Sequence, residues 1–154
     1  MDLQPSLERD SVGSAYPDEP LAATPDATIA EVMQLLRAQR TGAVLICDAN
    51  GLQGIFTERD ALKLMADGAD LSVPVTSVMS PKLVTLSPEE TVADAIKKMS
   101  DGGYRHLPIV DGTGQPTGVA GAQGIVHYLV DHFPNTIYNL PPDPHATQRE
   151  REGA

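Results

Sequence analysis

Part of this chain is written twice. Thr24-Pro25-Asp26-Ala27-Thr28-Ile29-Ala30-Glu31-Val32-Met33 returns 63 residues later as Ser87-Pro88-Glu89-Glu90-Thr91-Val92-Ala93-Asp94-Ala95-Ile96. Ala43-Val44-Leu45-Ile46-Cys47-Asp48 is answered by His106-Leu107-Pro108-Ile109-Val110-Asp111, and Gly54-Ile55 by Gly118-Val119 after one inserted residue. Internal repetition outranks local signals in deciding a fold. It also supplies a comparison inside one molecule, because shared residues make the fold and unshared polar ones can make a site.

With 154 residues, 41% of them hydrophobic, the chain can bury one core, so a single domain or one intimate pair of half-domains is expected. A net charge of −10 argues against nucleic acid and anionic membranes, which are bound chiefly through Lys and Arg. No apolar run approaches the roughly 20 residues of a membrane span, and Met1-Asp2-Leu3-Gln4-Pro5 lacks the basic start and apolar stretch of a signal peptide, so the expected location is the cytoplasm. The one cysteine, Cys47, sits in an apolar run and reads as a small buried hydrophobe. Residues 1–20 carry five acids against Arg9, with three prolines, and read as a flexible or draped acidic arm. Residues 134–154 read as a proline-broken tail in which Ile137, Tyr138 and Leu140, with Phe133 just before them, can dock on the core. The expected divisions are thus 1–20 arm, 21–70 first repeat, 71–133 second repeat and 134–154 tail.

Each repeat reads as strand, helix, strand, strand, helix, an α+β unit. Thr28 with Glu31 forms a capping box before an apolar stripe of Ile29, Val32, Met33 and Leu36; Thr91 with Asp94 does the same before Val92, Ala95, Ile96 and Met99, and Gly102-Gly103 ends that helix. Strands are expected at 43–47 and 52–57, joined through Asn50-Gly51, and at 106–110 and 115–120. Final helices follow at 58–66 and 123–132. Met33, Met65 and Met99 read as core. Neither repeat can close a core alone, so the two are expected to pack sheet to sheet about a pseudo-twofold axis.

The opening Val78-Met79-Ser80-Pro81 and Val84-Thr85-Leu86-Ser87-Pro88, the core Tyr104-Arg105-His106-Leu107-Pro108-Ile109-Val110-Asp111 and the closing Gly54-Ile55-Phe56-Thr57-Glu58-Arg59-Asp60 resemble a tandem pair of cystathionine beta-synthase (CBS) domains, a Bateman module, over about residues 20–132. The resemblance implies two β-α-β-β-α repeats and a stand-alone regulatory module that binds AMP, ADP or ATP, or alternatively S-adenosylmethionine or NAD, between the repeats. It also implies a homodimer and a separate regulated protein, with no required cofactor and no catalytic role.

The residues support a site of their own. Thr57 and Asp60 stand where a strand enters a helix, so backbone N–H groups and the positive helix end face outward, and a carboxylate can accept hydrogen bonds from ribose hydroxyls. Thr57-x-x-Asp60 is equally a capping box that needs no ligand. The resemblance assigns Asp60 to ribose and Thr57 to the sugar or phosphate region, and brings Val84, Thr85, Arg105, His106 and Pro108 from the other repeat to the same cleft. Arg105 and His106 then address phosphate, Arg59 and Lys63 extend a basic lining, and Ile55, Val84 and Ala43 offer apolar walls. Neighbours on a strand face opposite ways, so only one of Arg105 and His106 can face the cleft without a bend. Copy two has Gly121 and Gly124 at the places of Thr57 and Asp60, so one competent and one degenerate site are expected. His127, His132 and His145 lack metal-ligand spacing, and no nucleophile motif or phosphate loop is present. Three readings stay open: a nucleotide sensor, a scaffold in which Thr57 and Asp60 only cap a helix, and a nucleotide-processing enzyme for which no acid–base pair is visible.

Overall fold

The computed structural model describes residues 4–79 and 83–132. Its elements are α1 (Gln4–Arg9), β1 (Ala22–Ala23), α2 (Ile29–Gln39), β2 (Ala43–Asp48), β3 (Gly51–Thr57), α3 (Glu58–Ala66), α4 (Val92–Gly102), β4 (His106–Val110), β5 (Pro116–Gly121) and α5 (Ala122–His132). Short 3-10 turns occupy Val12–Ser14 and Val75–Ser77.

The repeat is visible in the backbone. Strand β1 runs parallel to β2, which pairs antiparallel with β3; the second copy has the β4–β5 hairpin and a single parallel bridge from Leu86 to Ile109 in place of β1. Both capping boxes form: Glu31 N–H donates to Thr28 Oγ1 (3.1 Å) and Asp94 N–H to Thr91 Oγ1 (3.2 Å), while each carboxylate accepts from the cap residue's own N–H. Helix α4 ends on Gly103 in the left-handed region (φ 71°), where glycine has no Cβ to clash. Its counterpart after α2 is Arg40, at φ 50°, a conformation that L side chains adopt at a cost.

Each repeat centres on one apolar cluster, completed by residues from outside that repeat. Ile29, Val32, Leu36, Val44, Ile46, Phe56 and Val75 form the first; Leu86, Val92, Ala95, Met99, Leu107, Ile109, Ala120, Ile125 and Tyr128, joined by Val12 and Ala15, form the second. Between them Ala43 and Leu45 of one sheet meet Val119 of the other, flanked by Cys47, Leu52 and Ile55, which is the expected sheet-to-sheet contact. Cys47 is half-buried there, and desolvation pushes its thiol pKa up, so it packs rather than reacts.

The folded unit extends further toward the N-terminus than the expected start at residue 21. Residues 4–20 are draped along the second repeat: Val12 N–H donates to Glu90 O and Val92 N–H to Asp10 O (both 2.9 Å), Tyr128 O–H donates to Asp10 Oδ2, and Val12 and Ala15 are buried. The same pattern recurs 63 residues on, where Val75 N–H donates to Ala27 O (2.8 Å) and Ile29 N–H to Val73 O (3.0 Å). Each repeat therefore receives its 3-10 turn from the segment that precedes the other repeat, and a boundary at residue 70 divides the sequence but not the packing. Met65 corrects a second expectation: it is 59% exposed, not core, beside Leu62 at 73%. The hydrophobic residues of the expected docked tail, and His145, lie outside the described residues.

Candidate functional site

Thr57 ends β3 opposite Ala43 and serves as the N-cap of α3. The strand fixes its extended backbone (φ −116°), and the helix brings Asp60 back over it. Asp60 N–H donates to Thr57 Oγ1 (3.4 Å); in return Thr57 N–H (2.9 Å) and Thr57 O–H (3.0 Å) both donate to Asp60 Oδ2. The capping box is therefore complete on one carboxylate oxygen. Oδ1 makes no hydrogen bond or ion pair among the described residues, so half of the acceptor capacity of Asp60 is uncommitted.

The second repeat reaches this region through His106. Its imidazole lies over Gly42, the residue before β2, whose carbonyl accepts from Glu58 N–H at the start of α3. A Cβ at Gly42 would stand 2.5 Å from His106 Nε2, so the close approach requires glycine. Burial pushes the His106 pKa below its ordinary value, with Asp18 and Glu58 pulling it up and Arg105 pushing it down. Arg105 is exposed while His106 is half-buried, as neighbours on one strand should differ.

Arg59, Lys63 and Arg105 are exposed and make no ion pair among the described residues, although the chain carries ten excess negative charges. Ile55 is half-buried between the sheets. Val84 packs on the second core, the Thr85 carbonyl accepts from Lys98 Nζ (2.9 Å), and the buried Pro108 gives its carbonyl to Leu86 N–H (2.8 Å). These three are thus held by their own repeat.

Some of the geometry had no counterpart in the sequence reading. A cavity of about 380 Å³ is lined by Asp18, Glu19, Pro20 and Leu21 from the arm and by Gln39, Arg40 and Thr41 after α2, and includes none of the expected site residues. The strained Arg40 sits in its wall, a combination more frequent at functional positions than elsewhere. Gly42 was also missed; its signal was the contrast with Arg105, its partner in the repeat. Among the described residues no group of three His, Cys, Asp or Glu side chains could hold a metal ion, and no helix is long and apolar enough to cross a membrane.

The family model for the CBS domain matches twice, over residues 12–67 and 75–131. The chain belongs to the CBS domain family. The match takes in the arm from Val12 onward, in keeping with its place in the fold. As a CBS pair, the chain is 35% identical over 102 residues to the CBS domain-containing protein YhcV of Bacillus subtilis, covering 66% of this chain and 73% of YhcV. Among solved structures it resembles the CBS-domain containing protein ATU1752 of Agrobacterium tumefaciens (31% identity, TM-score 0.65, 72% of this chain and 84% of that one). It also resembles the CBS domain protein PAE2072 of Pyrobaculum aerophilum, solved in complex with AMP (23% identity, TM-score 0.70, 79% and 98%). CBS domain pairs are generally regulatory modules.

Proposed function

We propose that this CBS pair is a ligand sensor that binds one adenosine-containing nucleotide, AMP, ADP or ATP, in the cleft of the first repeat and passes the binding event to a separate regulated protein in the cytoplasm. The observation that carries the reading is the division of labour on Asp60: Oδ2 caps α3, and Oδ1 is left to accept from ribose. Copy two keeps glycine at both corresponding places, Gly121 and Gly124, which is why one site per chain is assigned. Ile55, Val84, Thr85 and Pro108 supply the walls in this reading, and Arg59, Arg105 and His106 the cationic and hydrogen-bonding lining for phosphate. The complex of PAE2072 with AMP supports the ligand class.

Signalling requires that the nucleotide prefer one arrangement of the repeats, since equal affinity for two states shifts neither. His106 over Gly42 is the contact through which the two repeats would feel each other. The homodimer implied by the family is assigned to the groove of Met33, Leu36, Ala61, Leu62 and Met65, where apolar side chains stand exposed; Leu62→Asp should lower the sedimentation mass of a dimer to that of a monomer. A capping box completed by Thr57 and Asp60 alone favours the alternative, a scaffold that binds no nucleotide.

Thermal denaturation separates the two readings. A ligand that binds only the folded chain stabilises it by RT ln(1 + [L]/Kd), about 2.7 kcal/mol at a hundredfold excess over Kd. A concentration-dependent rise in Tm with an adenine nucleotide supports the sensor, and a flat response to all of AMP, ADP, ATP and S-adenosylmethionine supports the scaffold.

A further inference from the structure

The second cleft is not simply a first cleft that has lost its anchors. Allowing for the one-residue insertion, Gly121 and Gly124 hold the positions of Thr57 and Asp60, and the chain's own N-terminal arm lies directly over Gly124. A Cβ built on Gly124 would stand 2.7 Å from the carbonyl oxygen of Ala15 and 2.8 Å from that of Tyr16, too close for any residue but glycine. An aspartate there, as in copy one, has no room while the arm is in place.

We propose that residues 15–18 are a built-in occupant of the second repeat's cleft, pinned where a nucleoside and its carboxylate anchor would otherwise sit. Four contacts hold them. Asp18 and Val119 exchange N–H···O bonds of 2.9 Å in each direction, extending the β4–β5 hairpin by one bridge. Ala15 is buried in the second core. Tyr16 O–H donates to Asp131 Oδ2 at 2.7 Å, and its ring lies 4.8 Å from that of His127, which itself contacts Asp131 at 3.3 Å. Tyr16 adopts φ 52°, a left-handed conformation that a tyrosine keeps only where its surroundings hold it. The arm thus limits the module to the first cleft by occupying the second. This deepens the sensor reading above, on which the meaning of the blocked cleft rests.

The test is amide hydrogen exchange by mass spectrometry on the full chain. In wild type, residues 12–18 should be protected. Gly124→Ala should then raise exchange across 12–18 on the order of tenfold while leaving residues 43–48 unchanged, because the new methyl group displaces the arm. The direction is diagnostic: alanine favours a helix over glycine, so without an arm in contact the same substitution would slow exchange in α5 and leave 12–18 alone. Should Gly124→Ala fail to fold, Tyr16→Phe keeps the ring and deletes only the bond to Asp131, with an expected rise of about fivefold over 15–18. Unprotected 12–18 in wild type, or no change in either variant, overturns the proposal. ATP titration separates it from the sensor reading. One ATP per chain supports both, two per chain overturns the blocked cleft, and none, with the exchange pattern as expected, removes the sensor while supporting the occupant.

Discussion

Val12 lies in the segment whose composition points to a flexible or draped arm, and it is 2% exposed and sits in the second core as Val75, fully buried, sits in the first. Truncation of each to alanine compares the two repeats directly. Val→Ala withdraws two carbon groups from burial, about 1.6 kcal/mol at roughly 0.8 kcal/mol each. The cavity adds up to about half as much again where the walls cannot close, so a loss between about 1.6 and 2.4 kcal/mol, roughly 2, is expected for either variant. With a urea m-value of about 2 kcal/mol/M, each substitution should lower the denaturation midpoint by about 1 M without changing m. Urea unfolding followed by far-ultraviolet circular dichroism measures both on the same scale. A Val12→Ala midpoint that matches wild type while that of Val75→Ala falls would refute the exchange of segments between repeats, since substitutions on a free arm stay within about 0.5 kcal/mol.

Arg40→Gly relieves a left-handed backbone and should raise stability by up to about 1 kcal/mol, less the entropy that glycine adds to the unfolded chain; a loss of stability would show that the Arg40 side chain holds its turn. His106 has a folded pKa below its ordinary 6.5, so the unfolded chain takes up the proton first; its contribution is full above about pH 6.5 and is lost as pH falls through the folded value. His106→Gln should therefore flatten the stability profile on the acid side of 6.5, and an unchanged slope would contradict the burial of its imidazole against Gly42. Tyr128, with its pKa pushed up to about 12 by burial and by its bond to Asp10, should ionise well above the ordinary tyrosine value of 10.0 in an absorbance titration. Its stabilising term is intact below the ordinary value of 10.0 and is lost as pH rises through about 12; early ionisation would mean the arm does not cover it.

What could be read from the sequence was what is decided locally. Thr28 with Glu31 and Thr91 with Asp94 are spaced to cap a helix wherever they occur, and strands 106–110 and helix 58–66 have the bounds their patterns indicate. A draped arm was one of the two expectations for this segment, but its place on the second repeat was hidden because its partners, Glu90 and Val92, are about 80 residues away in the chain. The signal was nevertheless present: Ser11-Val12-Gly13-Ser14 stands 63 residues before Pro74-Val75-Thr76-Ser77, the same offset as the obvious repeat, with only the valine and last serine retained. Met65 was misplaced for a different reason, since helical spacing marks an apolar face without saying whether the chain itself covers it. For Asp60, spacing left cap and ligand anchor as alternatives, and only the assignment of both Thr57 bonds to one oxygen shows that they are compatible.

The most direct test of the nucleotide-sensor account is calorimetric titration of the nucleotide-free protein with AMP, ADP and ATP, in wild type and in Asp60→Ala. Saturation at one ligand per chain, abolished in Asp60→Ala although the variant remains folded, is the predicted result. Equal binding by the variant, or no heat from wild type with any of the three, would contradict it and leave Thr57 and Asp60 as a helix cap.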